Sequence, residues 1–305
     1  MPKHKANAFT LVELLIAIGI IAVLIGILIP VIGKTRESAK RLACANNLRQ
    51  IGLSVTRYGV DYKELPRTIY HNGVGFAGVL PSAFSGRLCD DQFAGAGGES
   101  SDVDGADNKY PKKNDVTAAL FLLVRLKYLT AESFVCPSSG ATADLYGGEL
   151  PTKRGNFTDR ANLSYSYANP YPIQQSNNQY GYYYGTDMDQ RLPLAADLNP
   201  GDSSSAPTLS QLTLNSSHSD LRNGNSQNHS RAGQNVAYYD GHVDWCTSSF
   251  VGIGSDNIFT RTYSDPPPAD QGADPADPFG SSLQQRHSAD SLLLPTFTST
   301  GISAN

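Results

Sequence analysis

Residues 14–33, LLIAIGIIAVLIGILIPVIG, carry no charged side chain, and how they are read decides the architecture of the whole chain. An α-helix rises 1.5 Å per residue, so this run spans about 30 Å, the hydrocarbon thickness of a bilayer. Lys3 and Lys5 precede it, and Lys34, Arg36, Lys40, Arg41 and Arg49 follow. Positive charge on both sides leaves the orientation open. A secretory signal peptide would end in a cleavage site beyond its apolar run. Here the chain continues as VIGKTRESAKRLACANNLRQ, which keeps a helical pattern. An ordinary signal anchor explains the length but not Glu13, a carboxylate beside the apolar block whose cost needs a local partner.

The 305 residues allow one domain plus a long anchoring helix. A formal net charge of −4 gives no sign of a nucleic-acid partner, and the basic cluster behind the apolar run reads as a solvated or lipid-headgroup-facing surface. The cysteines at 44, 89, 136 and 246 are scattered. Outside the cytoplasm they allow two disulfides in three pairings, with four isolated thiols as the alternative.

From Thr35 to about Tyr62 the hydrophobicity becomes one-sided. Cys44, Leu48, Ile51, Val55, Tyr58 and Tyr62 recur at intervals of four and three, the period of a helix with one buried face. This stripe is expected to pack on a globular domain while Arg41, Gln50 and Arg57 stay solvated. The helix should end near Gly59 or at Leu65-Pro66.

Residues 6–30, ANAFTLVELLIAIGIIAVLIGILIP, resemble the amino-terminal signature of type IV prepilins and type II secretion pseudopilins. The resemblance implies a leader over residues 1–8, removed between Ala8 and Phe9, and methylation of the new amino terminus at Phe9. Ala8 stands where the family normally has Gly. The resemblance also implies that Glu13 neutralises the amino terminus of a neighbouring subunit during assembly, and that Pro30 loosens the helix, since proline lacks an amide donor. Implied partners are a prepilin peptidase/methyltransferase, other pseudopilin subunits and membrane lipid.

A narrower resemblance follows in residues 44–67, CANNLRQIGLSVTRYGVDYKELPR. Cys44, Asn46, Asn47, Leu48, Gln50, Ile51, Gly52, Leu53 and Pro66 are similar to the start of a domain of uncharacterised function, of the DUF1559 type, in large pilin-like proteins common in planctomycete bacteria. Cys136, Pro137 and Ser138 match a Cys-Pro-Ser step of the same group. His229, Asn235, Val236, Asp240, Gly241, His242 and Val243 match a later pattern, with ten residues between His229 and Asp240 where nine are usual.

The rest divides into a globular region, residues 66–262, and a Pro- and Asp-rich extension, residues 263–305. Residues 66–115 read as irregular insertions, in which Asp102, Asp104 and Asp107 supply oxygen ligands of calcium type without the spacing of an EF-hand. Asp115 is placed to cap a buried helix over Val116–Leu129. Val135 and Cys136 read as the end of a short strand, with a Cys136–Cys89 disulfide as one hypothesis. Tyrosines in residues 161–196, Tyr182 to Tyr184 among them, suit packing within a sheet, a saccharide surface or an assembly contact. Residues 199–230 read as a long loop or weak strand pair. In QNVAYYDGHVDW, Val236–Tyr239 and His242–Trp245 read as strands joined at Asp240-Gly241, a tight-turn pair. LLLPTFT in the extension is expected to dock on the sheet.

The expected fold is α+β: a pilin-like lollipop, with a transmembrane and assembly helix (9–33), its amphipathic continuation (34–65) and an antiparallel sheet domain with large insertions. The function this implies is a structural pseudopilin-like subunit rather than an enzyme, single-pass in the inner membrane with its globular part outside the cytoplasm. No cofactor is expected; the Asp102, Asp104 and Asp107 run reads as a solvated acidic loop, with a calcium site as the alternative. A membrane-tethered binding module is the alternative. An anchored hydrolase would draw on His229, Asp240, His242, Asp244 and Cys246, which offer metal-ligand and acid/base chemistry. No nucleophile elbow, phosphate loop or HExxH helix accompanies them.

Overall fold

A computed structural model describes residues 11–67, 116–148, 150–168, 170, 188–201, 209–260 and 292–294. The leader with Ala8 and Phe9, the Asp102/Asp104/Asp107 loop, Cys89, Asp115 and Tyr182 to Tyr184 lie outside the described residues. The chain forms two compact units, Met1–Lys40 and Arg41–Asn305.

The first unit contains the beginning of α1, a helix that runs over Leu11–Tyr62. Its apolar segment Leu11–Ile29 is long enough to cross a bilayer and none of it is buried. Branched apolar side chains all round a helix leave no polar face for water, which is the pattern of a helix meant for lipid or for other helices. The backbone stays helical through Pro30.

In the second unit, α1 packs through the stripe that the periodicity predicts. Cys44, Leu48, Ile51, Val55 and Tyr58 are buried in the core. Tyr62 is not: it is 51 % exposed and stacks on Tyr58 at 4.5 Å between ring centroids. Arg57 is exposed as expected, but Arg41 is half-buried, its guanidinium 4.1 Å from the centre of the Trp245 ring. This is a cation–π contact.

The sheet has five antiparallel strands in the order β4-β3-β2-β1-β5, with β1 at Tyr165–Ala168, β2 at Pro193–Asp197, β3 at Gln234–Tyr238, β4 at Val243–Cys246 and β5 at Leu293–Leu294. The Asp-Gly hairpin forms with each strand displaced by about one residue from its sequence reading, Gly241 taking the positive φ of 89° that the turn needs. Gly233, before β3, is required for a different reason. A Cβ there would lie 2.4 Å from the Cys246 carbonyl oxygen and 2.7 Å from the Trp245 ring. Leu293 and Leu294 dock on β1, so the sheet takes in part of the 263–305 extension. Tyr165 and Tyr167 of β1 are fully buried, in keeping with packing rather than ligand display.

Helix α2, Val116–Arg125, is four residues shorter than the sequence reading. Lys127 adopts φ 62°, and the amides of Lys127 and Tyr128 turn back to the carbonyls of Val124 and Leu123. This is a left-handed C-terminal stop made without glycine. Every residue from Val116 to Val124 is buried, with Phe121 edge-on to Phe157 and Phe157 to Phe134, each pair at 5.2 Å. Val135 and Cys136 form no strand, following instead a 3₁₀ turn at Ala131–Phe134. The 199–230 stretch contains α3, His218–Asn223, capped by Ser217, whose hydroxyl accepts from the Asp220 amide at 3.3 Å.

Ile51→Ala should destabilise the domain by about 2–5 kcal/mol through the cavity it leaves, while Leu53→Ala on the exposed face should change stability by less than about 0.5 kcal/mol. Urea unfolding of the detergent-solubilised chain measures both.

Candidate functional site

Cys44, on the buried face of α1, forms a disulfide with Cys136, 92 residues further on, with the Cα atoms 5.2 Å apart. Cys136 is therefore paired with the helix and not with Cys89. Closing so long a loop is worth roughly 2–4 kcal/mol. One turn along, Asn47 donates through Nδ2 to the Val135 carbonyl at 2.9 Å and to the Tyr165 hydroxyl at 3.2 Å. From β3, Asn235 Nδ2 donates to the Arg41 carbonyl at 3.4 Å. The helix is thus fastened to the domain by one covalent bond and a set of amide hydrogen bonds, in addition to its apolar stripe.

The disulfide abuts a buried polar group. His229 Nε2 lies 3.5 Å from Cys136 Sγ and 3.7 Å from Asp197 Oδ2, and both side chains are wholly shielded from solvent. Asp197, the last residue of β2, accepts from the Asn235 amide at 2.7 Å, from Asn235 Nδ2 at 3.3 Å and from Asn228 Nδ2 at 3.1 Å. Burial pushes its carboxyl above the ordinary range, opposed first by the nearby His229 and then by these donors. Tyr165 is likewise pushed up by burial and by the Asp197 charge.

The backbone that carries His229 is strained. His229, Ser230 and Arg231 take φ of 57°, 56° and 58° in succession. Left-handed non-glycine residues cost about 1–3 kcal/mol each and persist only when their surroundings over-determine them. Here Asn225 Nδ2 donates to the Arg231 carbonyl and to that of Thr247, and the His229 ring stands edge-on to Trp245 at 5.3 Å. The turn delivers one imidazole nitrogen to the sulfur and the carboxylate.

The structure thus unites Cys44, Asn47, Cys136, His229 and Asn235 from three separated motifs. Asn46 stays exposed on α1, and Pro137 lies beside Cys136 in the turn leading away from the disulfide. Asp240, Gly241 and His242 are apart from this group, at the hairpin tip. There the Asp240 carboxylate accepts from the His242 amide at 3.0 Å and pairs with its ring, and these contacts, the amide foremost, hold it below the ordinary carboxylate range. The His242 ring stacks on Tyr238 at 4.3 Å, and Asp244 is exposed. The hairpin group is a turn-stabilising network. Cys246 is a half-buried thiol, pushed up to about 11 by burial.

Asp197, Asn228, Arg41 and Trp245 escape the sequence reading. The one available signal for Asp197 was a charge inside the small apolar run PLAAD. A cavity of about 400 Å³ adjoins the polar group, with Ser138, Ser139, Ser164, Leu198 and Asn228 among its walls.

Two families match the chain. The prokaryotic N-terminal methylation motif covers residues 3–29, and a family described as protein of unknown function (DUF1559) covers residues 33–201, more than half of the sequence. No curated protein and no solved structure matches.

Asp197→Leu should destabilise the domain by several kcal/mol, since each donor it strands costs about 1–3 kcal/mol. His242→Ala, at the exposed hairpin, should cost less than about 1 kcal/mol. Thermal unfolding of the two variants separates the buried group from the turn network.

Proposed function

The chain belongs to the DUF1559 family, and we propose that it acts as a structural, pilin-like subunit: anchored by α1, processed at the membrane and assembled with further copies in a pilus-like or type II secretion-like structure. The observation that carries this reading is the unburied apolar segment Leu11–Ile29 with Glu13 in its first turn. The matched methylation motif implies processing by a peptidase/methyltransferase of the prepilin type, here at the Ala8–Phe9 bond. The Phe9 amino group so released is a cation at one end of the apolar segment. Glu13 of a neighbour supplies its counter-charge, and a paired charge avoids most of the penalty of burying either alone.

Beyond the bilayer, the outward face of α1 supports contact between copies. Leu42, Leu53 and Val60 are all exposed, eleven and seven residues apart, or about three and two helical turns. They form a second apolar stripe on the side turned away from the Cys44–Tyr58 stripe. In this reading the domain lies outside the cytoplasm, on the far face of the inner membrane, where a structural disulfide persists.

Chemical cross-linking in native membranes tests the assembly. Wild-type protein should give a ladder of oligomers, and Glu13→Gln should reduce it at least tenfold while leaving the amount of membrane-bound protein unchanged. A wild-type protein that stays monomeric at native abundance, or a ladder indifferent to Glu13→Gln, would favour a tethered binding module instead.

A further inference from the structure

Among the described residues, one set of potential metal donors converges: Cys44 and Cys136 Sγ, Asp197 and His229, all buried, with their donor atoms within 4.8 Å of one another. As the chain stands, the two sulfurs are joined. Two of the remaining separations match the edges of a tetrahedral centre, and the sulfurs would part on reduction to complete it. Zinc bonds of about 2.3 Å to sulfur and 2.0–2.2 Å to nitrogen and oxygen give S···N and N···O edges of about 3.6 and 3.4 Å. Here the Cys136 Sγ to His229 Nε2 and His229 Nε2 to Asp197 Oδ2 separations are 3.5 and 3.7 Å.

Three further features suit such a centre. The Ser138 amide donates to Cys136 Sγ at 3.4 Å, a contact that stabilises negative charge on the sulfur. The donors around Asp197 orient its carboxylate, and the Trp245 ring fixes the plane of the His229 imidazole, which is the support that metal ligands need. The left-handed turn at His229–Arg231 spends backbone strain on bringing Nε2 to this point, which a merely space-filling histidine would not require. A cavity lies one residue away: Ser138 and Asn228, which contact Cys136 and Asp197, both line it.

We propose that this cluster is a redox-gated site for one divalent metal ion of the zinc class, closed while the disulfide is intact and opened by reduction. A dithiol supplies the two electrons. Its two S–H bonds are replaced by an S–S bond, and Cys44 and Cys136 become thiols. The ion displaces the two thiol protons to solvent and is held by both sulfurs, His229 Nε2 and an oxygen of Asp197. The cross-link between α1 and the domain then passes from a covalent bond to a metal. The fastening therefore survives in either redox state.

Cobalt(II) reports on the site directly. The full chain in detergent would be titrated once as isolated and once after dithiothreitol reduction and desalting without oxygen. The reduced protein should bind one equivalent, with sulfur-to-cobalt charge-transfer absorption and the strong visible bands of a tetrahedral ion, and zinc should displace it. The oxidised protein should show neither absorption. His229→Gln should weaken binding at least tenfold, while His242→Gln leaves it unchanged. A reduced protein that unfolds without metal and recovers its near-ultraviolet circular dichroism with one equivalent supports the same conclusion. Reduced protein that takes up no cobalt, folded or unfolded, overturns the proposal, as does equal binding by the Cys44→Ser/Cys136→Ser double variant.

Discussion

The attachment of α1 to the sheet domain rests on what happens around Asp197. A carboxylate removed from water costs several kcal/mol unless hydrogen bonds and opposite charge replace its hydration. Here the amide of Asn235, the side chains of Asn228 and Asn235, and the imidazole of His229 surround it. Those groups lie on β3 and on the strained turn before it, so satisfying the carboxylate fixes both. Once they are fixed, His229 meets Cys136, Asn235 reaches the Arg41 carbonyl, and Trp245 presents its face to the Arg41 guanidinium. The disulfide abuts this polar group.

The same helix serves two solvents. Between Leu11 and Ile29 none of it is buried, and the chemistry of its side chains suits lipid or neighbouring helices. From Cys44 to Tyr58 one face is consumed by the core. The apolar segment contributes no residue to the core, whereas the Cys44 stripe is part of it. If copies assemble through the apolar segment as proposed, contacts between them can be tuned without unfolding the domain.

Local regularities were legible in the sequence, and long-range coincidences were not. The stripe on α1 follows from intervals of three and four residues, and the β3–β4 hairpin from Asp240-Gly241. The buried group joins residues 92 and 194 positions apart in the pairs Cys44–Cys136 and Arg41–Asn235, distances over which no period or turn signal operates. Motif resemblance did single out Cys44, Asn47, Cys136 and His229, but treated His229 as a companion of Asp240 and His242, which the fold keeps at the hairpin. Helix α2 ends before its apolar pattern does because its stop is a left-handed lysine, Lys127, and no glycine marks it in the sequence. Helix α3 is hidden in the sequence although Ser217 and Asp220 carry a capping pattern, since its serine- and asparagine-rich surroundings resemble a loop.

If α1 belongs to a processed, assembling subunit, the amino terminus of the mature protein carries the mark of that processing. Intact-mass and peptide mass spectrometry on protein from native membranes would read it. Processing should leave a chain that begins at Phe9 and carries a methyl group on its amino nitrogen. A mature chain that retains the residues before Phe9 would contradict processing and assembly together, leaving a tethered domain with the same fold.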